Sequence, residues 1–268
     1  TRRYRRPQKF LGEKLLWLTI YFVGDFILCR KQQNIYTIPE INIFTSIVFW
    51  VTIKLKKTKL YEEHLRLGGK VIEFGGWLMP VQYTNVIDEH ITTRTKVGLF
   101  DISHMGEVIV RGSEALEYLQ LIATNDIGKL LPGKSIYSAM CSELGTTVDD
   151  IFVYCFNDDS YLVVVNAGTT EKDLVWMKKH SLGLDVNVED KTEFYAMLSI
   201  QGPYAEKTLQ NLTNYSLSQI KRFEFIENFV LGNIKTIISR TGYTGEDGFE
   251  IFFDSQYTKR VWNELLLA

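Results

Sequence analysis

The sequence predicts an α+β fold with mostly antiparallel sheets and flanking helices. Short segments in which apolar and polar residues alternate indicate strands, and segments with apolar residues at helical spacing lie between them. Two strand segments, residues 229–231 and 234–239, are separated only by Gly232-Asn233, a two-residue turn typical of hairpins. Hairpins are more common along the chain than strand–helix–strand units, which favours α+β over a parallel α/β sheet.

Size and composition are those of an ordinary globular protein. The chain has 268 residues, enough for one large domain or two small ones, with 46% hydrophobic and 23% charged residues. A net charge of −2 gives no reason to expect a nucleic-acid partner. The 3 cysteines are too few and too scattered for a disulfide framework, which favours a reducing compartment, and the 4 histidines show no metal-ligand spacing.

Residues 1–57 differ in character from the rest. They begin with a basic segment and contain two apolar runs, at residues 15–29 and 41–53. Each run is shorter than the ~20 residues that cross a bilayer as a helix. Three interpretations stay open: a membrane-associating leader, a targeting segment, or sequence that is not native to the functional protein. A membrane partner is expected only if this N-terminal extension is genuine.

From residue 58 the pattern becomes globular. Gly75-Gly76 and Pro80 are expected to end the first strand of this part. The helix that follows carries Val86 and Ile91 at helical spacing. The predicted helices cover residues 60–67 and 86–96, and the predicted strands cover residues 70–74 and 107–111.

The middle of the chain alternates helices with apolar strands. Ser113 is expected to cap one helix, and Thr169 or Thr170 is expected to cap another that ends at His180. The predicted helices cover residues 116–122 and 170–180, and the predicted strands cover residues 136–141, 150–155 and 161–165.

The last third continues in the same way. Strands are predicted at residues 194–200 and 248–253, and Gly202-Pro203 is expected to start a further helix, since proline suits a first turn. The final helix, residues 257–267, reaches the end of the chain without a C-cap, so its three leucines are expected to have nothing to pack on. This pattern predicts an architecture that is cut at its C-terminal side.

Two adjacent carboxylates stand at the head of a strand in the segment GTTVDDIFVY, residues 145–154. Side chains alternate along a strand, so Asp150 points to the same face as Phe152 and Tyr154, and Asp149 points to the other face. One interpretation is a pair of solvated turn residues. The other is a carboxylate beside an aromatic pocket, an arrangement suited to acid–base chemistry.

Seven segments together resemble the T-protein of the glycine cleavage system, the tetrahydrofolate-dependent aminomethyltransferase. The resemblance covers residues 58–268, does not cover residues 1–57, and stops before the second half of that family. The segments are HLRLGGKVIEFGGWLMPVQY (64–83), VGLFDISHMGE (97–107), TNDIGKLLPGKSIYSAMC (124–141), TTVDDIFVY (146–154), VVNAGTTEKDLVWM (164–177), SIQGP (199–203) and SRTGYTGEDGFEI (239–251).

The resemblance implies a function and its participants. The family moves a one-carbon unit from the aminomethyl-dihydrolipoyl arm of the H-protein to tetrahydrofolate, giving 5,10-methylenetetrahydrofolate and ammonia without a metal. It also implies a split first folate-binding domain, residues 58–106 and 191–268, around a second one, residues 107–190. The family's C-terminal β-barrel domain is not expected in this chain. The implied location is cytoplasmic in a bacterium and mitochondrial in a eukaryote.

The resemblance also assigns roles to residues. Asp150 matches the catalytic aspartate, while Asp149 is expected to be structural. Glu250 and Tyr243 match residues that contact the pterin ring of the folate. His104 is expected to be a positioned structural histidine. The remaining positions of the expected folate pocket are Met105, Ile109, Tyr137, Phe152, Tyr154 and Asn166.

Several alternatives stay open on the sequence. A protein of the same fold could bind folate without transfer, as iron–sulfur assembly factors do, or form the folate-binding part of a sarcosine or dimethylglycine dehydrogenase. Residues 1–57 could anchor a folate-binding protein to a membrane. The chain could also be an inactive fragment of a transferase.

Overall fold

The structure is a computed structural model that describes residues 19–23, 26–31, 34–39 and 55–268. The chain forms two compact units, Thr1–Lys56 and Lys57–Ala268. All the elements that bear on the candidate site lie in the second unit.

The first unit contains a small antiparallel sheet in the order β1-β2-β3, and the two-residue strand β4 lies at its boundary with the second unit. The apolar run at residues 15–29 therefore forms strands where it is described, whereas the run at 41–53 lies outside the described residues. Among the described residues, no helix combines the length and apolar character needed to cross a membrane. The interpretation of residues 1–57 as an extension stays a prediction. The strands are β1 (Thr19–Val23), β2 (Phe26–Lys31), β3 (Asn34–Pro39) and β4 (Lys56–Lys57).

The second unit begins with a helix and a tight hairpin. Gly75 and Gly76 have φ values of 56° and 86°, which side chains with a Cβ rarely adopt, and they form the turn between the two strands. The prediction that Pro80 ends the strand region is wrong, because Pro80 lies within the second strand. It stands at a register shift opposite Val71, where a missing N–H is tolerated. The elements are α1 (Tyr61–Arg66), β5 (Lys70–Phe74) and β6 (Trp77–Gln82).

A five-stranded sheet, called sheet 1, is built from distant parts of the chain. Its order is β14-β15-β16-β13-β7, and every neighbouring pair is antiparallel. Helices α5 (Ala205–Gln210) and α6 (Thr258–Leu267) contribute to a fully apolar cluster on one face. The strands are β7 (Gly98–Asp101), β13 (Tyr195–Gln201), β14 (Phe225–Leu231), β15 (Ile234–Ser239) and β16 (Gly248–Asp254).

A second five-stranded sheet, sheet 2, has the order β12-β8-β11-β10-β9 and is also antiparallel throughout. Helices α3 (Ala115–Ile122) and α4 (Thr170–His180) cover one face and share an apolar cluster with it. The strands are β8 (Gly106–Arg111), β9 (Ser135–Cys141), β10 (Thr147–Asn157), β11 (Ser160–Val165) and β12 (Asn187–Asp190).

The uncovered faces of the two sheets pack on each other. Tyr154 and Leu162 of sheet 2 share a buried cluster with Met197 and Phe252 of sheet 1. The predicted α+β fold with mostly antiparallel sheets and flanking helices is confirmed. The assignment of residues 58–106 with 191–268 and of residues 107–190 to two folate-binding domains stays a prediction.

Two helix predictions need correction. Helix α2 (Val86–Thr95) exposes its apolar residues, and Val86 and Ile91 are at least half exposed, because the buried side of this helix is polar and includes Thr93. Ser113 does not cap α3, because the helix begins at Ala115 and Glu114 occupies its N-cap position. The Ser113 hydroxyl donates to Asp185 Oδ2 at 2.5 Å.

The final helix also differs from expectation. Leu265 is buried in the apolar cluster of sheet 1, so the expectation that the leucines of α6 have nothing to pack on is wrong for this residue. Leu267 is exposed. Sequence periodicity did not indicate β7, β12 or three short 3-10 helices, Ile127–Lys129, Leu217–Gln219 and Ser255–Tyr257.

Candidate functional site

A cavity of about 700 Å³ is lined by residues from both five-stranded sheets. Ile109 is not among its lining residues. It is 2% exposed and packs in the cluster between the sheets, since β8 lies inside sheet 2 between β11 and β12. The other expected site residues all line this cavity: Met105, Tyr137, Asp150, Phe152, Tyr154, Asn166, Tyr243 and Glu250.

Asp150 presents an exposed carboxylate to the cavity from β10. The register of β10 with β11 pairs Phe152 with Val164, and β11 ends at Val165. Continuing the register places Asn166 opposite Asp150. The Asn166 side chain donates to Asp150 Oδ1 at 2.8 Å and thereby fixes the direction of this carboxylate.

Asp149 does not line the cavity, and its carboxylate accepts several hydrogen bonds. The Asn166 side chain donates to its Oδ1 at 2.9 Å, as does the backbone N–H of Asp150, also at 2.9 Å. The Thr169 hydroxyl donates to its Oδ2 at 2.5 Å, so Thr169 binds Asp149 and does not cap α4 with its side chain. Partial burial opposes ionisation, but hydrogen bonds, including one from Asp173, outweigh it and lower the pKa of Asp149 to about 2.

Aromatic rings form one wall of the cavity. The ring of Phe152 lies 5.3 Å from that of Tyr154 and 5.8 Å from that of Phe223, between centroids. Tyr137 of the neighbouring strand lies 6.4 Å from Phe152, and the nearby charge of Asp150 raises the pKa of its hydroxyl. Such a wall suits a flat aromatic ligand, because ring faces gain both apolar burial and stacking.

Glu250 faces the cavity from β16 in sheet 1. It lies between Ser199 and Ser239 on the adjacent strands, and their small side chains leave space around it. Its Oε2 accepts hydrogen bonds from the hydroxyls of Thr241, at 2.5 Å, and Tyr154, at 3.3 Å. Within the part of the chain that the structure describes, Oε1 receives no hydrogen bond. Burial raises the pKa of Glu250 although both hydroxyl donors lower it.

The loop after β15 carries Tyr243 and is tied to sheet 1 by Gln201. The Gln201 side chain donates to the carbonyl oxygen of Thr241 at 3.0 Å and accepts from the Thr244 hydroxyl at 2.8 Å. A Cβ at Gly242 would lie 2.1 Å from Gln201 Oε1, so a larger residue there would displace the Gln201 amide from these contacts. Tyr243 is exposed at the cavity, with its ring edge-on to Phe100 at 5.8 Å.

His104 lies on the wall of the cavity, packed edge-on against Phe74 at 5.8 Å. Its Nδ1 is buried, with no hydrogen-bond partner among the described residues, and burial lowers the pKa of the ring. The histidine is therefore neutral near pH 7. The expectation of a positioned structural histidine agrees with its packing, but its place on the wall next to Met105 was not expected.

Arg222 and Phe223 were missed by sequence reasoning. They come from the segment before β14, and the Arg222 guanidinium lies over the Phe223 ring at 4.8 Å from its centroid. Phe223 adopts a φ of 65°, and its backbone accepts from Ser135 of β9. No strand or helix period runs through this segment, so no sequence signal identified it. The other lining residues that were missed are Phe74, Ile102, Ile151, Val164, Met197 and Gly242.

A second cavity of about 530 Å³ shares Phe74, His104 and Tyr243 with the first. Its two carboxylates are already engaged. Asp101 is bound by Thr58 and His64, and Glu89 accepts from the backbone N–H groups of residues 83 and 84. The first cavity is the better candidate for chemistry, because Asp150 and one oxygen of Glu250 remain open to a ligand there.

Comparison with known proteins gives a consistent result. The family model described as "GCVT N-terminal domain" matches residues 60–268. The aminomethyltransferase of Geobacillus thermodenitrificans (strain NG80-2) is 48% identical over 214 residues, covering 80% of this chain and 58% of that protein. The aminomethyltransferase of Natranaerobius thermophilus is 48% identical over 210 residues, covering 78% of this chain and 57% of that protein.

A solved structure matches as well. The crystal structure of glycine cleavage system aminomethyltransferase T from Bartonella henselae superposes with a TM-score of 0.73 at 33% sequence identity. The match covers 79% of this chain and 57% of that chain. The chain thus spans less than two thirds of the length of these relatives.

Proposed function

This chain belongs to the family of the GCVT N-terminal domain, and on that premise we propose that it is an aminomethyltransferase that uses tetrahydrofolate. The observation that carries the proposal is the pair of open carboxylates, Asp150 and Glu250, which face one cavity from two different sheets. The cavity volume of about 700 Å³ is in the range of sites for drug-sized ligands. We also propose a cytoplasmic location, which the few cysteines fit.

Glu250 is the proposed anchor of the pterin ring. The edge of a 2-amino-4-oxo pterin presents N–H donors, and Glu250 Oε1 is an acceptor without a partner in the described part of the chain. A charge-assisted hydrogen bond in a half-buried site is stronger than one between neutral groups. The aromatic wall of Phe152 and Tyr154 supplies stacking area next to this anchor.

Asp150 is the proposed catalytic residue. In the reaction, the aminomethyl carbon leaves sulfur and nitrogen, bonds to N5 and N10 of tetrahydrofolate, and releases ammonia and a free thiol. A carboxylate beside these nitrogens accepts a hydrogen bond from N–H and stabilises the positive charge that develops as the carbon arrives. The hydrogen bond from Asn166 orients the Asp150 carboxylate before the reaction, so this carboxylate needs little reorganisation when the positive charge develops.

Arg222 is the proposed contact for the tail of the folate. The glutamyl tail carries carboxylates at neutral pH, and the Arg222 guanidinium is a cation on the cavity wall. Its position over Phe223 limits its motion. A ligand with its pterin at Glu250 and its tail at Arg222 would lie along the aromatic wall.

The proposed partner that supplies the one-carbon unit is a lipoyl-bearing H-protein. The experiment loads H-protein with a ¹³C-labelled aminomethyl group, adds the chain and tetrahydrofolate, and follows the label by NMR. Appearance of the label in the folate methylene supports the proposal, and an unchanged label contradicts transfer. A protein that binds tetrahydrofolate but moves no label would fit the alternative, a folate-binding protein of the same fold without transferase activity.

A further inference from the structure

A chain of three hydrogen-bonded side chains runs from the wall of the second cavity into the protein interior. The Tyr83 hydroxyl lies 2.8 Å from His64 Nδ1, and His64 Nε2 lies 2.9 Å from Asp101 Oδ2. The side chains of His64 and Asp101 are 0% exposed. Trp262 of α6 packs edge-on against the His64 ring, at 5.4 Å between centroids. The inner part of the chain is therefore shielded from bulk water, and Tyr83 is its member at the cavity.

The Asp101 carboxylate sets the proton positions in this chain. It also accepts from the Thr58 hydroxyl at 2.6 Å and from the backbone N–H of Ser103 at 3.0 Å. Burial opposes the ionisation of Asp101, but its hydrogen bonds, led by that from His64, outweigh burial and lower its pKa. An ionised carboxylate only accepts, so His64 Nε2 donates to it. In the neutral imidazole Nδ1 is then the acceptor for the Tyr83 hydroxyl.

This arrangement has the geometry of a base that is oriented by a carboxylate. In the Ser-His-Asp arrangement of hydrolases, a hydroxyl donates to an imidazole whose other nitrogen donates to a buried carboxylate. When a ligand gives a proton to the Tyr83 oxygen, the phenolic proton can move to His64 Nδ1, and Asp101 stabilises the imidazolium. Burial and the charges of Asp101 and Glu89 raise the pKa of Tyr83, so the phenol passes a proton on without staying ionised.

The second cavity suits an apolar arm with a cationic end. Its volume is about 530 Å³, and Tyr83 supplies a hydroxyl oxygen among walls that are largely apolar. The apolar lining residues include Ile72, Met79, Val81, Leu99 and Phe100. Because Phe74, His104 and Tyr243 line both cavities, the second cavity adjoins the candidate folate cavity. A one-carbon group released in the second cavity therefore has a short path to the folate.

We propose that Tyr83, backed by His64 and Asp101, is the base that frees the one-carbon unit from the sulfur of the carrier arm, with the aminomethyl end of that arm in the second cavity. The inference rests on the proposed function, which supplies the aminomethyl thioether as substrate. Asp150 and Glu250 keep their proposed roles at the folate. Tyr83 is a catalytic residue in this scheme, whereas Asp101 is a positioning residue.

The step balances in atoms and charge. The aminomethyl group arrives as an ammonium, and one of its protons goes to the Tyr83 oxygen while the phenolic proton moves to His64 Nδ1. The freed nitrogen lone pair forms a C=N bond as the C–S bond breaks, and the electrons of that bond go to sulfur. The thiolate then takes a proton from Tyr83, which is restored by His64. The sum is conversion of the thioether ammonium into a thiol and a methylene iminium cation.

The experiment uses H-protein loaded with a ¹³C-labelled aminomethyl group and follows the label by NMR, with and without tetrahydrofolate. Without folate, water adds to the iminium carbon, so the label is expected as formaldehyde hydrate. In Tyr83→Phe both transfer and this release are expected to slow by at least about 10²-fold. The dissociation constant for tetrahydrofolate is expected to change by less than about threefold, which also shows that the variant is folded.

Tyr118→Phe is the matched control. The Tyr118 hydroxyl is also buried and donates one hydrogen bond, to the carbonyl oxygen of Met177 at 2.9 Å, but it lines neither cavity. Rates in Tyr83→Phe equal to those in Tyr118→Phe overturn the inference. An unmodified chain that releases the label without transferring it overturns the proposed function, and the Tyr83→Phe release rate then still decides the inference. A label that stays on sulfur in both conditions overturns both.

A second pair of variants separates a relay from two independent packing effects. His64→Gln keeps an amide donor for Asp101 but offers no base for the Tyr83 proton, so it is expected to slow release as much as Tyr83→Phe. Residues that act as one unit give losses that do not multiply. The double variant is therefore expected to be within about threefold of either single variant. Losses that multiply in the double variant overturn the relay.

Discussion

The hydroxyl of Tyr154 in β10 lies 3.3 Å from Oε2 of Glu250 in β16 and donates a hydrogen bond to it. The two residues belong to different five-stranded sheets. The Tyr154 ring is fixed between them, edge-on to Phe225 and to Phe252 at 5.4 Å each. The direction of the Glu250 carboxylate therefore depends on how the two sheets pack, which couples the fold directly to the candidate ligand site.

This relationship gives a prediction for Tyr154→Phe. Loss of the hydroxyl removes one donor from Glu250 and is expected to weaken tetrahydrofolate binding by about tenfold, the usual cost of a hydrogen bond to a charged group. Calorimetric titration measures the affinity. Tyr161→Phe is the matched control, because Tyr161 is also buried in sheet 2 but belongs to the cluster under α3 and α4. Equal affinities for both variants would count against the coupling.

The affinity for tetrahydrofolate should depend on pH through Glu250. Because burial raises the pKa of this carboxyl above its usual value, it takes up a proton at a higher pH than an exposed glutamate. The protonated form is a poorer acceptor for pterin N–H groups, so affinity is expected to fall as the pH falls through the raised pKa. Dissociation constants between about pH 5 and pH 8 test this, with Glu250→Gln expected to give weak binding without this pH dependence. A dissociation constant of the unmodified chain that does not change with pH would exclude Glu250 as the acceptor for the pterin N–H groups.

Asp150→Asn should separate chemistry from binding. The amide keeps the size of the side chain but cannot stabilise positive charge at the reacting nitrogens, so the transfer rate is expected to fall by about 10²-fold or more. The dissociation constant for tetrahydrofolate is expected to change by less than about threefold. Asp158→Asn serves as the control for the loss of one negative charge. Equal losses of rate and affinity would show that Asp150 only binds.

Asp173 should also affect stability in a defined pH window. Its pKa of about 7 in the folded chain lies above the reference value of 3.8, so the folded state holds the proton more tightly than the unfolded state. This contribution to stability is present at low pH and is lost as the pH rises from about 4 to about 7.

Asp173→Asn removes that titration. The variant is expected to gain stability relative to the unmodified chain as the pH rises through this window, by on the order of 3 kcal/mol. Urea unfolding at about pH 4.5 and about pH 8 measures the difference. Parallel pH dependences for the two proteins would argue that Asp173 does not hold a proton in the folded state.

The part of the site that lies on one strand could be predicted from the sequence. Alternation along β10 was enough to place Asp150, Phe152 and Tyr154 on one face and Asp149 on the other. The strand is long, strongly apolar after its first residues, and bounded by turns, so its pattern is unambiguous. Its pairing with β11 then brings Asn166 opposite Asp150.

The part of the site that depends on the packing of distant segments could not be predicted. Arg222 and Phe223 reach the cavity from an irregular segment with no periodicity, and Thr241 reaches Glu250 from a loop. Asp173 looks from the sequence like one of several acidic residues in the first turn of a helix, where a solvated position is usual. Only the structure shows that Asp173 is fully buried.

The errors in local structure have a similar origin. Ser113 and Thr169 have the residue type of helix caps, but neither hydroxyl accepts a backbone N–H of its helix. Each hydroxyl is instead oriented by donating to a carboxylate from another segment, Asp185 and Asp149. The structural role expected for Asp149 stays a prediction, and the structure adds that Asn166 links Asp149 to Asp150. Asp149→Asn is therefore expected to reduce the transfer rate, though less than Asp150→Asn.

The most direct test of the proposed folate site is calorimetric titration of the chain with tetrahydrofolate. The compared variants are Glu250→Gln and the control Glu193→Gln, which changes an exposed glutamate in the loop before β13. Saturable binding is expected for the unmodified chain and for Glu193→Gln, and at least about tenfold weaker binding is expected for Glu250→Gln. Far-UV circular dichroism of each sample confirms that the compared proteins are folded. A folded chain that binds no tetrahydrofolate would contradict the assignment of this cavity as the folate site. Equal affinities of the unmodified chain and Glu250→Gln would contradict it as well.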